Sequence, residues 1–117
     1  MRAVAVALGA AAVLAGAAGC GGDTREAEPV ARVLVTDNAF RRDGRDRPDL
    51  RVRRGDVVRW EWRAQESHQV SVRSGPTSFA SPTKTRGGYE RTFTRTGTYR
   101  LECSLHAPGM RMSVVVG

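Results

Sequence analysis

From residue 31 to the end, apolar and polar side chains alternate in short runs such as "ARVLV", "VVRWEW" and "TYRLEC". Each run stops at turn-forming residues, among them "RRGD" before Val57 and "RTGT" before Tyr99. A period of two is the signature of a half-buried strand, and Gly, Asp and Thr in the breaks supply the turn chemistry. No ten-residue stretch has the spacing of an amphipathic helix. The pattern predicts strands over 31–35, 50–53, 57–62, 69–73, 90–95, 98–103 and 113–116, with a long Ser/Thr/Pro/Gly loop over 74–88. Seven or eight short strands in about 90 residues predict an all-β, two-sheet Greek-key sandwich.

The start of the chain is of another kind. "MRAVAVALGAAAVLAGAAG" (1–19) has one early arginine and then an apolar run without an acid. It is too short and too rich in alanine and glycine for a membrane span, and it fits a secretory signal. The run closes on "AAGCGG", which resembles a bacterial lipobox and predicts lipidation of Cys20, with Ala17 where leucine is commoner. Residues 20–29 then read as the lipidated cysteine and a flexible tether, and 30–117 as one domain with a modest core. The expected location is extracytoplasmic, anchored to the cell membrane. An ordinary secretory signal would instead leave Cys20 a free thiol in an oxidising compartment.

The formal net charge is +7, and Lys84 is the only lysine. The arginines are spread along the domain and alternate with acids, as in "RRDGRDRPD". A dense basic block or an RNA-binding motif is absent from the sequence, which argues against nucleic acid. An acidic protein or a membrane surface remains as a partner for a basic surface.

Alternation also aims particular side chains. In "HQVSVR", His68 shares a face with Val70 and Val72; in "YRLEC", Cys103 shares a face with Tyr99 and Leu101. Both are predicted to point inward, one at the start of a strand and one at the end. Antiparallel pairing of those strands would bring them to the same pole of the sandwich. Trp60 and Trp62 share parity with Val58 and are read as core.

Cys103 opens the spacing C-x-x-H-x-x-x-M, which places Cys103, His106 and Met110 on one loop, with His68 arriving from elsewhere. Two imidazoles, one thiolate and one weak thioether suit one copper ion, the donor set of a blue-copper electron-transfer site. Structural zinc prefers four strong donors, and methionine is a poor one for it. Iron–sulfur clusters require more cysteines than this chain has. Taken singly, Cys103 could be a small buried hydrophobe or pair with Cys20, and the methionines could be core filler. The chain's two histidines and its one cysteine outside the lipobox nevertheless fall in register with one site. Met112 is the rival to Met110, but its parity with Val114 and Val116 points it to the core.

These segments, "DNAF", "VRRGDVVRWEW", "SHQV", "TGTYRLEC" and "CSLHAPGM", resemble in order those of the small plastocyanin-like cupredoxins. The resemblance covers roughly residues 31 to 116. It implies His68, Cys103 and His106 as strong in-plane copper ligands and Met110 as the weak axial one. Two positions depart from it: Gln69 stands where the family often has Asn, and Leu105 where it often has Pro. The His106–Met110 spacing lies between the short amicyanin loop and the longer plastocyanin one.

A metal held by four protein donors has no open position for substrate, so a non-enzymatic, single-electron carrier cycling Cu(I)/Cu(II) is expected. The resemblance implies that the edge of His106 reaches the surface. Arg63, Arg73, Arg86 and Arg111 are expected to form a basic rim there for an acidic redox partner of a monomeric protein. The alternatives are a copper-trafficking or storage lipoprotein, which needs exposed, exchangeable donors, and an envelope sandwich that binds no metal.

Overall fold

The computed structural model describes residues 27–106 and 109–117. The signal segment, Cys20 and the tether as far as residue 26 lie outside the described residues.

Nine strands follow in chain order: β1 (Pro29–Val35), β2 (Phe40–Arg42), β3 (Arg45–Asp46), β4 (Asp49–Val52), β5 (Val57–His68), β6 (Ser71–Ser74), β7 (Lys84–Thr92), β8 (Gly97–Glu102) and β9 (Arg111–Val116). They form one sheet in the order β3-β2-β1-β5-β7 and a second in the order β4-β9-β8-β6. β1 runs parallel to β5 and β4 parallel to β9; the other pairs are antiparallel. This is the all-β sandwich that the alternation predicts.

The core lies between the sheets. Val33 and Val35 of β1, Val58, Trp60 and Trp62 of β5, Leu101 of β8 and Val114 and Val116 of β9 are buried at every second position. Trp60 sits at the centre of an aromatic cluster, with ring centroids of Phe79 and Tyr89 at 6.2 Å and Phe93 at 6.5 Å. Such tilted contacts add to the burial itself. Tyr99 donates its hydroxyl to the Arg95 carbonyl at 3.1 Å and so ties the turn before β8 to the core.

Four local readings of the sequence are corrected. β2 and β3 are a hairpin within "FRRDGRD", where Asp43 and Gly44 have φ of 53° and 77°. Two consecutive positive φ values are what a two-residue hairpin turn with the strands' own twist requires, and Asp-Gly supplies them. β1 starts at Pro29, inside the stretch read as tether. β5 does not stop at Trp62 but continues to His68, with a bulge between Arg63 and His68 where its pairing with β7 shifts register. β7 begins at Lys84, within the segment read as a loop. Its two glycines belong there: Gly87 has φ 89°, and a Cβ on Gly88 would collide with the Arg59 guanidinium that crosses over it. The rest of that segment is pinned too, with Val72 N–H on the Phe79 carbonyl and Ser81 N–H on the Val70 carbonyl.

Candidate metal centre

His68 is the last residue of β5, after which the chain crosses to the second sheet and Val70 is already fully buried there. Its alternation with Val70 holds, although it ends one strand and does not start the next. β6 pairs antiparallel with β8, Ser71 opposite Glu102 and Val72 opposite Leu101. The residues just before β6 and just after β8 therefore meet at one pole, which brings His68 to Cys103. Both have no exposed surface.

The other donors lie on the connection between β8 and β9. Leu101 faces Met112 and Glu102 faces Arg111, so Cys103 and Met110 are the next pair out. Cys103 N–H donates to the Met110 carbonyl at 3.1 Å and closes the loop. Inside it His106 N–H donates to the Cys103 carbonyl at 3.0 Å, and Gly109 N–H to the His106 carbonyl at 2.9 Å. The spacing C-x-x-H-x-x-x-M is thus a loop closed at its base by Cys103 and Met110, with Ala107 and Pro108 outside the described residues.

His68 Nδ1, His106 Nδ1 and Cys103 Sγ lie within 4.8 Å of one another. The two nitrogens are 3.1 Å apart, and the sulfur is 3.9 Å from His68 Nδ1 and 3.6 Å from His106 Nδ1. Donors bound to a common ion at about 2.0–2.3 Å stand roughly 3 to 4 Å apart, so the triangle matches a first coordination sphere. Cys103 is a free cysteine and buried, as a thiolate donor requires here. The N₂S set fits one copper ion.

The surroundings hold the donors in place. Trp62 Nε1 donates to the His68 carbonyl at 2.9 Å, fixing the backbone of the ligand. The ring is fixed from its far side by Asp37, whose Oδ1 lies 3.0 Å from His68 Nε2. Asp37 also accepts the N–H of Gln65 and of Glu66. The backbone N–H of Gln65 first, then that of Glu66, and then His68 bring the Asp37 carboxyl down to about 2. Ser104 Oγ donates to Gln69 Oε1, tying the residue after Cys103 to the residue after His68. Gln69 therefore braces the ligand loop, a role the sequence leaves open.

Met110 is buried. Met112 is engaged elsewhere, since Trp60 Nε1 donates to its sulfur at 3.3 Å inside the core. The His106 side chain is 35% exposed, and its Nε2 faces Glu66 Oε1 at 3.7 Å. Leu105 beside it is one of the few large exposed hydrophobic residues among the described ones.

The arginines divide into two groups. Arg63 and Arg86 face each other across β5 and β7. Arg73 and Arg111 join Arg47 and Arg100 around a concavity of about 190 Å³ on the outer face of the second sheet. Arg47 Nη2 reaches the Gly109 carbonyl of the ligand loop at 3.5 Å. Sequence reasoning missed Asp37, Gln65, Glu66 and Arg47. The signal for Asp37 was the turn-forming "TDNA", whose Thr36 and Ala39 hydrogen bond to each other through backbone and hydroxyl.

Fold and donors together define a small β-sandwich with a His–Cys–His centre at one pole. No protein-family model matches the chain, and no curated protein matches it. Solved structures do. A reduced Cu(I) form of an amicyanin variant is 30% identical, with a TM-score of 0.63 over 79% of this chain and 86% of that one. A second reduced amicyanin variant is 31% identical, with a TM-score of 0.61 over 74% and 81%. An oxidised variant is 30% identical, with a TM-score of 0.63 over 79% and 86%. The chain belongs to the cupredoxin family.

Proposed function

We propose that the protein carries single electrons on one copper ion that His68, Cys103 and His106 would hold, with Met110 as a weak fourth donor. The observation that carries this reading is the triangle of one sulfur and two nitrogens within 4.8 Å at one pole of the sandwich, with His68 and Cys103 buried and His106 half-buried. A copper ion held there would supply the one-electron Cu(I)/Cu(II) couple. The chain supplies rigidity: His68 is held at its carbonyl by Trp62 and at its ring by Asp37, and Cys103 by the N–H to Met110. Donors fixed in advance need little rearrangement when the charge on the ion changes. Met110 suits the role of fourth donor because it is buried and stands opposite Cys103 at the loop's closure, while Met112 sulfur is taken by Trp60.

The chain has two histidines, and both are in this cluster, so no imidazole remains for a second, catalytic copper. That supports a carrier over an enzyme. Transfer of copper to another protein would need exchangeable donors, whereas His68 and Cys103 have no exposed surface. The exposed edge of His106 beside Leu105 is the electron's route out, and the Arg47, Arg73, Arg100, Arg111 concavity favours an acidic partner. The signal segment and Cys20 support an extracytoplasmic lipoprotein.

The test is a titration of the full-length protein with Cu(II), followed by visible absorption. An intense thiolate-to-Cu(II) band at one equivalent, lost in Cys103→Ala and in His68→Ala, is the expected result. A band that persists in Cys103→Ala rejects the ligand assignment.

A further inference from the structure

The hydrogen bond behind His68 comes from a charged group. We propose that Asp37 is the positioning residue of the centre: it holds His68 with Nδ1 directed at Cys103 and His106, and its negative charge biases a bound copper ion towards Cu(II). The proposal rests on the copper reading above.

Three observations carry it. First, the His68 ring is completely buried, so its Nε2–H needs a partner within the protein, and Asp37 Oδ1 stands at 3.0 Å. That bond puts the proton on Nε2 and leaves the Nδ1 lone pair facing the Cys103 sulfur, as metal binding requires. Second, Asp37 is itself immobilised. Its turn is closed by Thr36 and Ala39, and its two oxygens take the N–H of Gln65 at 3.1 and 3.0 Å and of Glu66 at 2.8 Å. β1 ends at Val35, opposite Trp62, so beyond that point a side chain takes over from the strand in holding β5 through its bulge to His68. Third, the partner is a carboxylate. A neutral carbonyl would fix the same tautomer, but an anion on the outer nitrogen also makes the imidazole a stronger donor. The more highly charged ion gains more from both effects.

A purely structural Asp37 would hold the β5 bulge and leave the copper couple unchanged. Asp37→Asn separates the two roles, because an amide oxygen can still accept from Nε2–H while the charge is gone. In the full-length protein loaded with copper, Asp37→Asn should keep the thiolate-to-Cu(II) band. Its one-electron equilibrium should shift about tenfold or more towards Cu(I), a rise of about 59 mV in midpoint. Cu(II) affinity should fall by about 10–100-fold. An unchanged midpoint beside an intact wild-type band overturns the role of Asp37 alone. A wild-type protein with no such band overturns the copper reading, and this proposal with it. Should Asp37→Asn not fold, ¹⁵N NMR of the imidazoles in wild-type protein loaded with Cu(I) gives the answer. A slowly exchanging proton on His68 Nε2 supports the proposal, and a proton on Nδ1 or rapid exchange at Nε2 overturns it.

Discussion

Trp60 and Met112 are joined across the sandwich by an indole N–H on a thioether sulfur, 3.3 Å long and buried. Trp60 is on β5 and Met112 on β9, so the contact links the two sheets directly beneath the loop that carries Cys103 and His106. It also separates the two methionines of that loop and strand by task. Met112→Leu should cost about 1–3 kcal/mol, the penalty for leaving the Trp60 donor unpaired, and leave the copper spectrum unaltered. Met110→Leu should do the reverse, shifting the spectrum and midpoint with little loss of stability. Urea unfolding of both variants, set beside their visible spectra, checks the division; a spectral change in Met112→Leu alone would reverse it.

Much of this site was legible because it depends on parity. His68 and Cys103 were placed inward by counting in twos from Val70 and Leu101, and the fold honours that count even though His68 closes one strand. What counting could not reach is geometry made by backbone groups. Residues 63–67 of β5 show no alternation, since they run through a bulge over largely exposed surface. The alternation therefore stops at Trp62, whereas the strand runs on to His68. Asp37 acquires its role from the N–H groups of that same bulge, 28 and 29 positions away, which no side-chain pattern encodes. The β2–β3 hairpin was hidden differently: "RRDGRD" has the composition of a solvated charge run, and only its Asp-Gly pair betrays the turn.

Asp37 also predicts how the apo-protein responds to acid. Its carboxyl is held at about 2 in the fold, against about 3.9 in an unfolded chain. A depressed pKa contributes stability that is fully present above about pH 4 and is lost as pH falls through about 2. Urea midpoints of wild type should therefore decline between those values more steeply than those of Asp37→Asn. Parallel declines for the two proteins would show that Asp37 makes no such contribution.

Gly97 is constrained twice. Its φ is 137°, and a Cβ there would stand 2.5 Å from Pro76 Cγ. Pro76 lies in the loop that packs Phe79 against Trp60, so it has little room to yield. Gly97→Ala should destabilise the fold by about 1–3 kcal/mol, a cost typical of a strained backbone position. Gly44→Ala also has a positive φ, but nothing lies within 4 Å of its Cβ, so it should suffer the backbone strain alone. Thermal or urea unfolding of the pair checks this; a smaller loss in Gly97→Ala than in Gly44→Ala would mean that the Pro76 contact relaxes freely.

The surface charges make opposite predictions around one exit. Arg47, Arg73, Arg100 and Arg111 gather on the second sheet beside the loop, while Glu66 stands 3.7 Å from His106 Nε2. Exposed charges act over about 10 Å at 0.1 M salt, and each group has a member at the ligand loop: Glu66 at the His106 ring and Arg47 at the Gly109 carbonyl. With hexacyanoferrate(III), an anionic oxidant, the rate of oxidation of the Cu(I) protein should fall as salt rises, because screening removes the arginines' attraction. Arg73→Glu combined with Arg100→Glu should flatten that dependence, and Glu66→Gln should raise the rate at low salt. The two changes pull in different directions because one removes attraction beside the loop and the other removes repulsion at the ring itself. A wild-type rate that is flat or rising with salt would mean that the exit lies outside the field of the arginines.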